Sequence, residues 1–78
     1  MSYQDIKVMT HSGYRGDEKP QAFFINDRKI IVLEILDRWI EENTYDNTRK
    51  RFFVVKGNDS QKYKIFMDEK TLEWFGEM

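Results

Sequence analysis

Apolar and polar residues alternate along this chain in short runs separated by turn-forming residues, a pattern that predicts strands. Tyr3 to Thr10 sets Ile6 and Val8 on one face and predicts a first strand. His11 to Pro20 holds two glycines, a proline and several charges, and reads as a loop. Gln21 to Ile25 predicts a second strand, with Pro20 tolerated at its start because a first residue can do without a ladder donor. Asn26-Asp27-Arg28-Lys29 predicts a tight turn, since Asn and Asp accept left-handed backbone angles and hydrogen-bond locally. Arg49 to Lys56 and Lys62 to Met67 are two β-rich runs joined by Gly57-Asn58-Asp59-Ser60-Gln61, which predicts a hairpin with a five-residue loop. Glu42 to Thr48 is a polar loop, Asp68-Glu69-Lys70 a turn, and Thr71 to Phe75 a last short strand.

Residues 30–42 carry two conflicting signals. Ile30-Ile31-Val32 favours a strand leaving a hairpin. Glu34, Asp37, Arg38, Glu41 and Glu42, however, recur at spacings of three and four, with Val32, Ile35, Leu36, Trp39 and Ile40 opposite, as on an amphipathic helix. The surrounding strands favour a long, bent strand. The expected fold is therefore a single mainly-β domain over 1–78, a strongly bent antiparallel sheet or barrel of five or six strands; the alternative is α+β with a helix at about 33–42.

Length and composition narrow the picture. A chain of 78 residues supports one small core, worth roughly 3–5 kcal/mol of net stability on the usual expectation. It has no cysteine, so packing must hold it, and six Phe, four Tyr and two Trp supply large buried areas. Burial is the default expectation for both Trp39 and Trp74; exposure would mark a partner site. The opening MSYQDIKVMTHSG lacks a basic region followed by an apolar run, and the longest apolar run, Ile30 to Leu33, falls far short of a bilayer span. These features predict a cytoplasmic protein that does not use a membrane.

The net charge is only −1, but it is unevenly placed. Residues 49–66 hold Arg49, Lys50, Arg51, Lys56, Lys62 and Lys64 against the single acid Asp59, while residues 29–46 and 65–78 each sum to −3. Strict alternation puts Lys50, Phe52, Val54 and Lys56 on one face of the first run, with Arg49, Arg51, Phe53 and Val55 on the other. In the second run Tyr63, Ile65 and Met67 oppose Lys62, Lys64 and Phe66. Cations beside an exposed aromatic could hold phosphates while the ring stacks a base, each stack worth roughly 1–3 kcal/mol. The candidate polyanion-binding residues are thus Arg49, Lys50, Arg51, Phe52, Lys56, Lys62, Lys64 and Phe66, for single-stranded nucleic acid or an acidic protein. The competing reading is cross-strand neutralisation by the acidic blocks, with the phenylalanines buried.

Catalytic chemistry finds little support. His11 is the one histidine, and its neighbour Ser12 would point the other way on a strand. Glu41/Glu42 and Asp68/Glu69 are adjacent in turns rather than convergent in a cleft, and no run has the spacing of a calcium loop. Gly13-Tyr14-Arg15-Gly16 matches a bare G-x-x-G, but the RNA-clamping loop of that form needs flanking helices. No catalytic residue, metal or cofactor is expected. A protein-interaction or homodimerisation domain, using a sheet edge or the Trp39 region, is the alternative to polyanion binding.

Pro20-x-x-Phe23, the Asn26-Asp27-Arg28 turn, Ile30-x-Val32, Ile35-Leu36-Asp37-Arg38-Trp39, Phe53-x-Val55, Tyr63 and Trp74 form a familiar series. Over about residues 13–75 the chain resembles a group of small uncharacterised bacterial cytoplasmic proteins, a domain of unknown function, some of whose members look to be encoded near DNA-repair polymerases. The resemblance implies a small mainly-β domain and adds weight to a strand at 30–40. The segment Glu42–Thr48 departs from it by lacking an aromatic pair. The resemblance carries over no catalytic residue.

Overall fold

The computed structural model describes residues 3–10 and 19–77. Six antiparallel strands, β1 (Tyr3–Thr10), β2 (Pro20–Ile25), β3 (Arg28–Asn43), β4 (Thr48–Gly57), β5 (Lys62–Asp68) and β6 (Trp74–Glu77), close into a barrel in chain order. The predicted small barrel is the fold. His11, Ser12 and Gly13-Tyr14-Arg15-Gly16 lie outside the described residues.

Two strands change partner partway and so turn the corners of the barrel. β1 pairs with β6 over Tyr3 to Ile6 and with β2 over Lys7 to Thr10. β3 pairs with β2 over Arg28 to Ile31, then with β4 from Val32 to Asn43. Register shifts between Val32 and Glu34 and between Ile35 and Asp37 bend β3 sharply, because each bulge adds a residue that the partner does not match.

These bulges explain the helix-like periodicity and rule out the helix at 33–42. Each inserted residue resets the alternation, so Ile30, Val32 and Ile35 all pack on the core at spacings of two and three. Glu34, Asp37 and Glu41 pair in turn with Lys56, Val54 and Lys50 on the outside. A strand broken by two bulges thus acquires an i, i+3, i+7 polar stripe.

The barrel is filled by Ile6, Phe23, Ile30, Phe53, Val55, Ile65, Met67 and Trp74, with Val8, Ile25, Val32, Ile35 and Tyr63 packed against them. The turns follow local chemistry, with some boundaries moved from their predicted places. Asn26 and Asp27 both adopt positive φ, which makes a two-residue hairpin turn whose twist matches the flanking strands. Arg28 and Lys29, expected in that turn, already belong to β3. The expected loop 42–48 shrinks to four residues, because Asn43 still pairs with Thr48. The last strand runs Trp74–Glu77 rather than Thr71–Phe75.

Candidate interaction surface

The β4–β5 hairpin has the predicted length, and its two faces separate as the alternation requires. Phe53 pairs with Ile65 and Val55 with Tyr63 toward the core, while Phe52 pairs with Phe66 and Val54 with Lys64 on the outside. Lys50, Lys56, Lys62 and Lys64 therefore share a face with Phe52 and Phe66. Arg49 and Arg51 lie on the other face, where Glu69 sits 3.0 Å from Arg49 and 3.4 Å from Arg51, and Glu42 lies 3.5 Å from Arg49. The structure thus splits the eight candidate residues into two groups and engages both arginines in ion pairs.

On the outer face the register aligns one aromatic from each of four strands: Trp39, Phe52, Phe66 and Phe75. Trp39 stacks on Phe52 with rings 5.3 Å apart and nearly parallel, Phe52 meets Phe66 at 4.9 Å, and Phe66 meets Phe75 at 5.1 Å. Tyr3 adds an edge contact to Phe66 at 4.8 Å. The row forms a second, external apolar layer. Lys64 Nζ stands over both Trp39 and Phe52, and Lys50 Nζ over Phe66.

That cover leaves Phe52 only 5% and Phe66 only 6% exposed, so neither presents a free stacking platform. This is the burial that the competing reading expects: an outward ring on a tightly coiled sheet is still covered by neighbours in the adjacent strands. Phe53, pointing inward, is buried as well. The lysines are also matched: Lys50 lies between Glu41 and Asp68 in register, Lys56 opposite Glu34, and Lys64 lies 3.8 Å from Glu77. Lys56 and Lys62 face one another directly, a like-charge pair.

Trp74 is buried as expected, whereas Trp39 is only partly buried. Its indole is held in two ways: stacked on Phe52, and through its Nε1–H, which donates to Glu41 Oε2 at 2.8 Å. Beside it a groove of about 350 Å³ is lined by Arg38, Trp39, Ile40, Arg51, Phe52 and Phe53. Ile40 is 47% exposed there, and Leu33 and Leu36 are exposed further back along β3. The sequence offers the Trp39 region as an alternative contact surface, but no signal in the chain marks which of the two tryptophans faces outward.

A second cluster fixes the other end of β4. Asn58 N–H donates to the Ile31 carbonyl at 2.9 Å, and its Oδ1 accepts from Ile31 N–H at 3.2 Å, so the β4–β5 loop clips onto β3. Asp59 of the same loop accepts from the Tyr63 hydroxyl of β5, with Arg28 of β3 3.4 Å away. The tyrosine hydrogen bond, with help from the Gln61 amide and Arg28, holds the Asp59 carboxyl below its usual range. The same bond pushes the Tyr63 phenol up. Asp46 is likewise lowered, chiefly by the Thr48 hydroxyl and amide that it accepts from. These are turn-stabilising contacts. Among the described residues no group of three or more His, Cys, Asp or Glu gathers into a metal site, and no helix is long and apolar enough to cross a membrane.

No family model, no curated protein and no solved structure matches the chain. The resemblance to small bacterial cytoplasmic proteins therefore rests on the sequence series alone.

Proposed function

We propose that this chain is a non-enzymatic interaction domain whose protein-contact surface is the part of β3 and β4 around Trp39. The observation that carries this reading is a partly exposed tryptophan held rigid by Phe52 and Glu41 at the rim of an apolar groove. A large ring fixed before binding loses little freedom on association, which is why tryptophan so often anchors interfaces. Exposed Ile40 extends the same patch. Selection of displayed random peptides on the immobilised protein tests the reading. Recovered peptides should lose binding to Trp39→Ala and Ile40→Asp variants that remain folded. Peptides that bind parent and variants alike would overturn it.

A second reading keeps the polyanion site but narrows it. The directly opposed Lys56 and Lys62, with Lys64 on the same face, leave positive charge that an anion would relieve. It ranks second because Glu34, Asp37, Glu41, Asp68 and Glu77 share that face. A salt titration with a labelled single-stranded oligonucleotide decides it: phosphate contacts strengthen at low ionic strength, and absence of binding there removes it.

A further inference from the structure

The free side of β3 deepens the Trp39 reading and rests on it. From Val32 onward β3 is paired on one side only, by β4; pairing with β2 ends at Ile31. Among the described residues no backbone hydrogen bond reaches the other side of β3 from Leu33 to Asn43. The Arg38 amide instead donates to the neighbouring Asp37 carboxylate at 2.8 Å. Both bulges lie before Asp37, so the seven residues Asp37 to Asn43 form a regular edge in unbroken register with β4. An open, regular edge is a template for another strand.

We propose that this edge pairs antiparallel with the same edge of a second copy of the chain, about a two-fold axis at Ile40. The argument is one of charge and symmetry. A two-fold axis normal to the sheet carries each face onto the same face of the copy, so only residues of like parity can oppose one another. That leaves few registers, each centred on one residue. Centring on Arg38 sets arginine against arginine. Centring on Trp39 opposes Asp37 and Glu41. Centring on Glu41 or Glu42 sets each acid against itself. Like charges directly opposite are unfavourable, so each of these registers is penalised.

Among the centres that pair at least three residues of this edge, Ile40 alone removes every such clash. Arg38 then faces Glu42 of the copy twice over, and Ile40 faces its counterpart. Trp39 faces Glu41, the residue type that already accepts its indole N–H within one chain. Asp37 faces Asn43. Arg38 has no ion pair among the described residues, and the pairing supplies one. The exposed Ile40 is covered by its twin, and the β3–β4 sheet runs on from one barrel to the other.

Sedimentation velocity from micromolar to millimolar protein, with a charge-swap set, tests the pairing. The parent should show a concentration-dependent dimer. R38E and E42R should each weaken self-association about tenfold or more, since each creates two like-charge oppositions by symmetry. An equimolar mixture of R38E and E42R should recover a heterodimer, because Glu then meets Arg at both oppositions. Circular dichroism checks folding; loss of the exposed Glu42–Arg49 pair should cost little. A parent that stays monomeric at millimolar concentration overturns the pairing. So does a dimer that neither substitution weakens, or a mixture that fails to recover it. The Trp39 reading is judged separately by peptide selection, so failure of the pairing is distinguished from failure of that reading.

Discussion

Substitution of Gly57 by alanine tests the account of how the β4–β5 loop is seated on β3. A methyl group there would lie 2.6 Å from Ile30 Cγ2, 2.8 Å from Asp59 Oδ1 and 3.2 Å from Tyr63 Cε2. Carbon atoms rest at about 3.5–4.0 Å, so the overlap with Ile30 approaches about 1 Å. Ile30 is 2% exposed and cannot withdraw without disturbing Phe23 and Val55 in the same core. Overpacking of this kind costs about 1–3 kcal/mol. Against it, alanine restricts the unfolded chain, which returns about 0.5–1 kcal/mol where the backbone tolerates a side chain. The net expectation is a loss of about 1–2 kcal/mol. For a domain of this size that corresponds to a fall in Tm of about 5–15 °C. Thermal and urea unfolding followed by circular dichroism measure it, with an unchanged urea slope showing that the comparison is of like states. A second readout is local: displacement of Asp59 should break its bond with Tyr63 and bring the phenol back toward its ordinary value of 10.0. An alanine variant as stable as the parent would refute the close packing of Gly57 against Ile30.

Two further outcomes follow from the turns. Leu72 has φ of 63° and is 67% exposed, so its side chain gains little in return for a left-handed backbone that costs a non-glycine residue roughly 1–2 kcal/mol. Leu72→Asn should raise Tm by a few degrees, and a fall in thermal unfolding temperature would contradict the turn geometry. Asp59 and Asp46 have folded values depressed below 3.8, so their stabilisation is present above that pH and lost as pH falls through the folded values. Tyr63, raised above 10.0, contributes in the opposite sense, its share present below that pH and lost above it. Tyr63→Phe should therefore flatten the stability profile at both ends; a profile unchanged below pH 4 and above pH 10 would sink the assignment.

Most of the barrel was legible in the chain because strand faces obey a strict period of two. Alternation separates Phe52 from Phe53 and Val55 in one run and Ile65 from Lys64 and Phe66 in the other, and the register then joins Phe52 with Phe66 and Lys64, and Phe53 and Val55 with Ile65. The bent strand at 30–40 was harder. Its bulges arise where β3 must turn from β2 to β4, a demand of closure that leaves no mark in local composition. The candidate site was legible only as a set of residues. That Arg49 and Arg51 meet Glu69 depends on a turn nearly twenty residues away folding back, with Glu69 N–H donating to the Arg49 carbonyl at 2.9 Å.

The sequence by itself determined a small, mainly-β domain, its hairpins and which residues of each regular strand share a face, because pleat and turn chemistry act between near neighbours. Only the tertiary structure decided exposure. Phe52 and Phe66 point outward yet are covered, since barrel curvature brings Trp39, Tyr3 and Phe75 from other strands over them. Trp39 and the open side of β3 are left in view for the converse reason: β2 is too short to accompany a sixteen-residue strand along its length.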